Sequence, residues 1–159
     1  MMSQSANHNA NVVVRNIAPK GRGVFSKKTF RSGDLVITGK PIEGPTARSW
    51  ATIQMDVDVH IIPDEPFLVA NHSCEPNCGL QHNEYGAYDL VALRDIARGE
   101  EITWDYCMCE WEMVGFSECH CGSSTCRKTI CGAKNLPETF FEKHSGFLAP
   151  YYEKMTGAK

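Results

Sequence analysis

The sequence predicts a mostly β fold built as one domain. Apolar and β-branched runs are short, and each is bounded by Gly, Pro, Asn or Asp, which is typical of strands. Only residues 136–155 carry apolar side chains at spacings of one, three and four, a pattern that predicts one or two short helices. With 159 residues, 42% of them hydrophobic and 22% charged, the chain has ordinary material for one folded core.

The predicted strands follow one another without an internal repeat or a convincing linker. They cover residues 11–17, 35–38, 50–55, 58–62, 88–93 and 101–106, and a further strand follows the glycines at 21 and 23. Residues 1–10 are small and polar, with no periodicity, and we expect them to be a flexible tail. We expect the aromatic residues of 136–155 to pack against the sheet, the alternative being a lid over a cofactor.

The charge of the chain bears on its partners. A formal net charge of −3 and a pI near 6.1 argue against direct nucleic-acid binding, which relies on Lys and Arg, and favour a basic partner. No apolar run approaches the length of about 18 residues that indicates a membrane span, and the first residues lack a secretory pattern. We therefore expect an intracellular protein, nuclear or cytoplasmic, that is neither secreted nor bound to membranes.

Two stretches carry most of the functional signal. Residues 71–78, Asn-His-Ser-Cys-Glu-Pro-Asn-Cys, suit a polar site better than a helix or strand. Residues 101–106, Glu-Ile-Thr-Trp-Asp-Tyr, alternate as a strand does and end on a polar pair. A Cys-x-Cys-x4-Cys run at 119–126 follows, and in a reducing compartment this spacing indicates metal binding.

In this order and at these separations, the motifs resemble the SET domain of protein lysine methyltransferases with its post-SET tail. The resemblance implies a mostly β, SET-like (β-clip) fold, with several small bent sheets around a knot-like crossing of residues 71–78 and 101–106. It also implies a post-SET zinc loop and short C-terminal helices. The expected segments are a tail at 1–10, the SET domain at 11–106, the post-SET region at 107–132 and a helical segment at 133–159.

The resemblance also implies S-adenosylmethionine as cofactor. In the family, a Gly-x-Gly backbone holds the methionine end of this molecule, and glycines let a ligand approach the backbone closely. Asn71 and His72 would line the adenosine half, although His72 is alternatively a structural histidine. The Gly-x-Gly segment is alternatively a plain turn. The expected residues at the methionine end are Lys20, Gly21, Arg22 and Gly23.

Tyr106 matches the catalytic tyrosine of the family. Methyl transfer needs a neutral amine, whereas free lysine, with a pKa of about 10.4, is protonated at neutral pH. An apolar channel disfavours the ammonium form, and a phenol oxygen can align the amine with the sulfonium methyl. Trp104 stands where the family usually has Phe or Tyr, so we expect it to narrow this substrate channel. A buried structural tyrosine is the alternative for Tyr106.

The three clustered cysteines need a fourth ligand, because structural zinc is generally tetrahedral. By resemblance the site consists of one zinc held by Cys74, Cys119, Cys121 and Cys126. This arrangement would tie the tail to the crossing. The other candidates for the fourth ligand are Cys131, Cys109 and His120.

The sequence thus predicts a protein-lysine N-methyltransferase acting on a lysine in a basic, histone-like protein tail. A non-catalytic SET-fold module that binds a basic peptide is the main alternative, and a zinc-thiol redox protein is another. Acidic residues between positions 56 and 65 would border the peptide groove and attract such a tail, or else form a solvated face.

Overall fold

The computed structural model describes residues 9–115 and 118–157, and these fold mainly as short strands. The strands are β1 (Val12–Ile17), β2 (Gly21–Ser26), β3 (Leu35–Thr38), β4 (Pro41–Glu43), β5 (Ile53–Asp56), β6 (Val59–Pro63), β7 (Asn71–His72), β8 (Cys78–His82), β9 (Tyr88–Ala92) and β10 (Glu101–Trp104). The helices are α1 (Glu138–Lys143) and α2 (Tyr152–Thr156), with 3₁₀ turns at Phe67–Val69, Tyr106–Met108 and Ala133–Asn135. The predicted mostly β fold is confirmed.

The strands form three small sheets. One has the order β1-β2-β10-β7, the second β3-β9-β8 and the third β4-β6-β5. Strands β2 and β10 are antiparallel, with Val24 opposite Ile102, and both side chains are fully buried. Because each sheet is only three or four strands wide, the core lies where the sheets meet, and apolar residues from all three contribute to it.

Strand β8 was not predicted, although its register with β9 is regular over five residues. Its second residue, Gly79, lowers the strand signal of the sequence. The structure gives the reason for the glycine: a Cβ there would lie 2.7 Å from the ring of Phe147. The glycine therefore allows the C-terminal segment to pack directly on the backbone of β8.

Residues 71–78 cross β10, as the family resemblance implied. Strand β7 pairs with β10 in parallel, with His72 opposite Trp104. Asn77, 2% exposed, then returns to the same strand: its Oδ1 accepts from Thr103 N at 2.9 Å and its Nδ2 donates to Glu101 O at 2.8 Å. The Asn77 side chain thus pairs with two backbone groups of β10 as a neighbouring strand would, and it fixes the crossing to β10.

The aromatic residues of the C-terminal helical segment pack into the core. Phe140, Tyr151 and Tyr152 are buried. The hydroxyl of Tyr152 donates to Cys107 O at 2.6 Å, and the hydroxyl of Tyr151 donates to the carbonyl of Cys109. The segment therefore covers the 3₁₀ turn that follows β10 and helps to hold it in place.

Of the predicted flexible tail, residues 1–8 lie outside the described part of the chain. Asn9 is bound at both ends of its amide, because its Nδ2 donates to Thr38 O and its Oδ1 accepts from Thr38 N. Within residues 9–115 and 118–157, no helix is long and apolar enough to cross a membrane.

We predict that Asn77→Ala destabilises the fold by about 2–6 kcal/mol, because it leaves a buried N–H and a partly buried C=O of β10 without partners at about 1–3 kcal/mol each. Urea unfolding measures the effect. The control is Asn135→Ala, whose amide makes one exposed hydrogen bond to Cys131 O and whose loss should cost less than about 1 kcal/mol. Equal losses for the two variants would contradict the assigned role of Asn77.

Candidate active site

Two cavities meet at Tyr106, which lines both of them. The larger has a volume of about 460 Å³ and opens to solvent beside β2, β7 and the loop that carries the cysteines at 119–126, called the cysteine loop below. The smaller, of about 70 Å³, is lined mainly by apolar residues from the segments around β5, the 3₁₀ turn Phe67–Val69 and β10. A volume of several hundred Å³ suits a cofactor, whereas the small cavity suits a slender side chain.

The larger cavity collects most of the residues that were predicted to bind cofactor. Its lining includes Lys20, Arg22, Asn71, His72 and Tyr106. The predicted Gly21 and Gly23 lie beside it in β2 and contribute no side chain. A Cβ at Gly23 would lie 2.9 Å from Glu101 Oε1 and 3.0 Å from Asn71 Nδ2, so a larger residue there would displace these two side chains.

A polar network fixes the wall of the larger cavity. Lys20 Nζ pairs with Glu101 Oε2 at 3.0 Å. Asn71 Nδ2 donates to Glu101 Oε1 at 2.9 Å and to Arg22 O at 2.8 Å. The amide hydrogens of Asn71 are thus directed to protein groups, and the residue joins β2, β7 and β10 at the cavity edge.

His72 is held neutral at the centre of the crossing. Desolvation by burial lowers its pKa to about 4, with Arg127 and Lys20 acting in the same direction and Asp105 opposing them. Its Nδ1 accepts from Tyr106 N at 3.1 Å, so the ring proton lies on Nε2, which faces Cys74 Sγ at 3.5 Å. The 3.5 Å approach of His72 to Asp105 is therefore not an ion pair near neutral pH. Both ring nitrogens thus have neighbours within the crossing, and the neutral ring joins Tyr106 to Cys74.

The hydroxyl of Tyr106 is anchored at the junction of the cavities. It donates to Ala70 O at 3.1 Å, and its ring lies 5.2 Å from His72 and 4.8 Å from Trp104 between centroids. Burial raises the pKa of this phenol well above its usual range, so it stays protonated near neutral pH. A neutral, fixed hydroxyl suits alignment of a reacting group rather than proton removal.

Trp104 lines the smaller cavity together with Tyr106 and Phe67. Its indole is 3% exposed, and within the described residues its Nε1 has no hydrogen-bond partner. The indole therefore forms part of the wall of the smaller cavity.

Four thiols come together at the other side of the crossing. The sulfur atoms of Cys74, Cys119, Cys121 and Cys126 all lie within 4.8 Å of one another. The Sγ atoms of Cys74 and Cys119 are 3.7 Å apart, close to the edge of about 3.8 Å that a tetrahedron with Zn–S bonds of about 2.3 Å requires. The donor set and its spacing therefore fit a structural zinc ion.

The three rival ligands lie outside this cluster. The thiol of Cys109 contacts Glu110, that of Cys131 contacts Gly132 O, and His120 lies at the surface beside Glu118. The backbone N–H groups of Arg127 and Lys128 instead point to the sulfurs of Cys74 and Cys126, at 3.4 and 3.3 Å. Such donors are the usual second layer around metal thiolates.

A buried ion pair beside Tyr106 was missed by the sequence analysis. Asp105 is fully buried, and Arg127 binds it with both terminal nitrogens, at 2.8 and 2.9 Å. The pair joins the end of β10 to the cysteine loop. The only sequence signal was the position of each residue, since Asp105 precedes the tyrosine and Arg127 follows the last clustered cysteine.

Comparison with known proteins shows the family. The SET domain model matches residues 21–107, which is more than half of the chain. The protein belongs to the SET domain family.

Relatives include human histone-lysine N-methyltransferase 2B, 31% identical over 141 residues, which covers 75% of this chain and 5% of the relative. Methyltransferase flvH of Aspergillus flavus is 24% identical over 114 residues, covering 70% and 61%. The probable histone-lysine N-methyltransferase set-23 of Caenorhabditis elegans is 44% identical over 64 residues, covering 38% and 26%. The chain thus spans less than two thirds of each of these relatives.

Solved structures give the same fold. KRYPTONITE, in complex with mCHG DNA and SAH, has a TM-score of 0.61 and 27% identity over 76% of this chain and 29% of its own. The methyltransferase domain of human SETMAR has a TM-score of 0.58 over 76% of this chain and 58% of its own, and at 17% identity it shows the fold alone.

We predict that Asp105→Asn destabilises the protein by about 3–5 kcal/mol, because it leaves the partly buried Arg127 guanidinium without its counter-charge. The double variant Asp105→Asn/Arg127→Met should recover part of this loss, and urea unfolding of all four proteins gives the coupling. The exposed pair Arg94–Glu100 is the control, with an expected coupling below about 1 kcal/mol. Coupling as small as that of the control would contradict the structural role of the buried pair.

Proposed function

We propose that this protein transfers a methyl group from S-adenosylmethionine to the side-chain amine of a lysine in a basic, histone-like protein tail. The observation that carries the proposal is the position of Tyr106 between two cavities of unequal size and polarity. Cofactor would enter from the larger, and the lysine side chain would enter through the smaller. The names of the relatives, most of them histone-lysine methyltransferases, support this reading.

The small cavity suits the chemistry of an amine nucleophile. Its largely apolar lining disfavours an ammonium ion through desolvation and so favours the neutral amine that must attack. The Tyr106 hydroxyl, anchored on Ala70 O, would orient the nitrogen lone pair. Trp104 would restrict how much room the amine and its substituents have.

The residues around the larger cavity suit S-adenosylmethionine as the cofactor. When bound, S-adenosylmethionine supplies an electrophilic methyl group on a sulfonium ion. The backbone of Lys20, Gly21, Arg22 and Gly23 would hold its methionine end, and Asn71 and His72 would line its adenosine end. The SAH bound to the related KRYPTONITE supports this assignment.

For the metal, we propose one zinc ion on Cys74, Cys119, Cys121 and Cys126. Metal binding would require the thiols to ionise and would couple the fold of the loop to the crossing. Cys119 also lines the larger cavity, so an ordered cysteine loop would complete the cofactor site. We accordingly divide the chain into a SET domain at 11–106, a post-SET region at 107–132 and a helical segment at 133–159, of which residues 116–117 and 158–159 lie outside the described part.

The nature of the substrate rests on the relatives more than on surface charge. Among the acids expected to attract a basic tail, Asp56 pairs with Lys154 and Glu65 pairs with Arg22, so part of this charge is neutralised within the protein. A histone substrate would place the protein in the nucleus. The expectation of no nucleic-acid contact gains no support from the comparisons, because the related KRYPTONITE was solved with DNA.

A non-catalytic module that binds a basic peptide is the second candidate. It would retain the smaller cavity and the crossing without needing the larger cavity. Calorimetry on zinc-loaded protein with a histone peptide present distinguishes the two, since only the enzyme requires binding of S-adenosylmethionine.

We predict that Tyr106→Phe lowers kcat by about 10²-fold while the Kd for S-adenosylmethionine changes less than about 3-fold, because alignment acts in the transition state. Mass spectrometry of core histones incubated with each protein measures the product, and calorimetry measures the Kd. Tyr85→Phe, at an exposed tyrosine, is the matched control and should retain full activity. Equal methylation by wild type and Tyr106→Phe would refute the assigned role.

We predict one zinc per chain, and its loss in Cys74→Ser but not in Cys131→Ser. Three thiolates hold zinc less well than four, whereas the Cys131 thiol lies outside the cluster. Elemental analysis of the purified proteins measures the metal. Retention of zinc by Cys74→Ser, or its loss from Cys131→Ser, would show that the ligand set is wrong.

A further inference from the structure

Glu110 is a buried acid at the small cavity that the proposed mechanism leaves unused. It is 7% exposed and lines this cavity with Trp104 and Tyr106. Acidic residues are almost never buried unless they are paired, and no salt bridge to Glu110 is present within the described residues. A buried, unpaired acid at the small cavity therefore suggests a chemical role for its carboxylate.

The backbone fixes Glu110 relative to Tyr106. The N–H of Glu110 donates to Tyr106 O at 2.9 Å, and the carbonyl of Glu110 accepts from Ala133 N at 2.9 Å. Its side-chain Oε1 accepts from Gln54 N at 2.9 Å and contacts the Cys109 thiol at 3.6 Å. Among the described residues, no hydrogen bond to the second carboxylate oxygen is found, so this oxygen is available to a ligand.

Two further polar groups at the same cavity lack partners. Trp104 Nε1 and Arg48 Nε are both buried without a hydrogen-bond acceptor among the described residues. A cavity of about 70 Å³ with a carboxylate in its lining and two unpartnered N–H groups on its lining residues suits a polar occupant. A primary amine is such an occupant, because its ammonium form donates three hydrogen bonds and its neutral form presents a lone pair.

We propose that Glu110 is a catalytic residue that accepts the substrate ammonium and removes one of its protons, directly or through one water molecule. This inference rests on the proposed function. One N–H bond breaks, its electron pair stays on nitrogen, and the proton moves to the carboxylate. The neutral nitrogen then forms a bond to the methyl carbon as the carbon–sulfur bond breaks and sulfur keeps that electron pair. The positive charge ends on the methylated nitrogen, and Glu110 loses its proton to solvent before the next turnover.

The electrostatics of Glu110 agree with this role. Desolvation by burial raises its pKa to about 7, against the opposing effects of the Gln54 N–H, the Cys109 thiol and Arg48. A carboxyl group that titrates near neutral pH is a better proton acceptor than an ordinary glutamate, because its pKa lies closer to that of the amine. The acid would also offset the desolvation that otherwise keeps an ammonium ion out of the cavity.

The ionisable groups around Glu110 do not titrate in the same pH range as its carboxyl group. They are Arg48, Cys109, Tyr88, Tyr106, Tyr151 and Tyr152. Burial raises the pKa of the Cys109 thiol and of each of these phenols well above the ordinary values. Among these groups, only Glu110 changes charge between about pH 6 and pH 9.

The first test is the pH dependence of Glu110→Gln. The amide keeps the shape of the side chain and still accepts from Gln54 N, so the fold should persist. With core histones and saturating S-adenosylmethionine, methyl transfer at pH 7.5 should fall about 10²-fold, and the deficit should shrink toward pH 10, where the neutral fraction of free lysine has risen to about 30% from about 0.1% at pH 7.5. Glu153→Gln, at an exposed glutamate on α2, should match wild type throughout. A deficit that is equal at every pH, or absent, would overturn the proposal.

The second test does not depend on activity. Carbon-13 NMR of protein labelled at the glutamate side-chain carboxyl should show one signal that titrates near pH 7 rather than near 4.5. Addition of n-butylamine at pH 7.5 should shift that signal saturably, and absence of a saturable shift would overturn the proposal. If wild type methylated no histone yet butylamine shifted the signal, the proposed function would fail while amine binding by Glu110 would stand.

Discussion

The buried pair of Asp105 and Arg127 is the interaction on which the site depends. A fully buried carboxylate is stable only when its charge is matched and its oxygens are hydrogen-bonded, and here a two-pronged guanidinium meets both requirements. Asp105 is the last residue before Tyr106, and Arg127 follows the last clustered cysteine. The position of the tyrosine and the position of the cysteine loop are therefore set by the same contact.

Next to this pair, His72 links the strands to the thiols. Its ring accepts from the backbone of Tyr106 on one side and faces the sulfur of Cys74 on the other. Burial keeps the imidazole neutral, so it can bridge the two without adding charge beside Arg127. Movement of the cysteine loop would reach Tyr106 through two routes, the ion pair and this histidine.

The two cavities divide the chemistry by their polarity. The larger is bordered by the Lys20–Glu101 pair and remains open, which suits a charged cofactor. The smaller is narrow and lined mainly by apolar residues, so the few polar groups among its lining residues have a large effect. In such a place the unpartnered indole N–H of Trp104 and the carboxylate of Glu110 matter more than they would at the surface.

The sequence by itself determined the β-rich fold, strands such as β3 and β9, the two motif stretches and their family, because these depend on local patterns of apolar, turn and cysteine residues. It did not reveal β8, whose Gly79 makes sense only beside Phe147. It also did not reveal Arg127 as the partner of Asp105, or Glu110 as a neighbour of the small cavity. These contacts join residues that are far apart in the chain. Burial, charge pairing and close packing depend on which residues are neighbours in the folded structure, and local sequence patterns do not give that information. For the four clustered thiols, the sequence indicated Cys74 only through family resemblance and left three rivals, whereas the tertiary structure brings Cys74 to Cys119 across 45 residues.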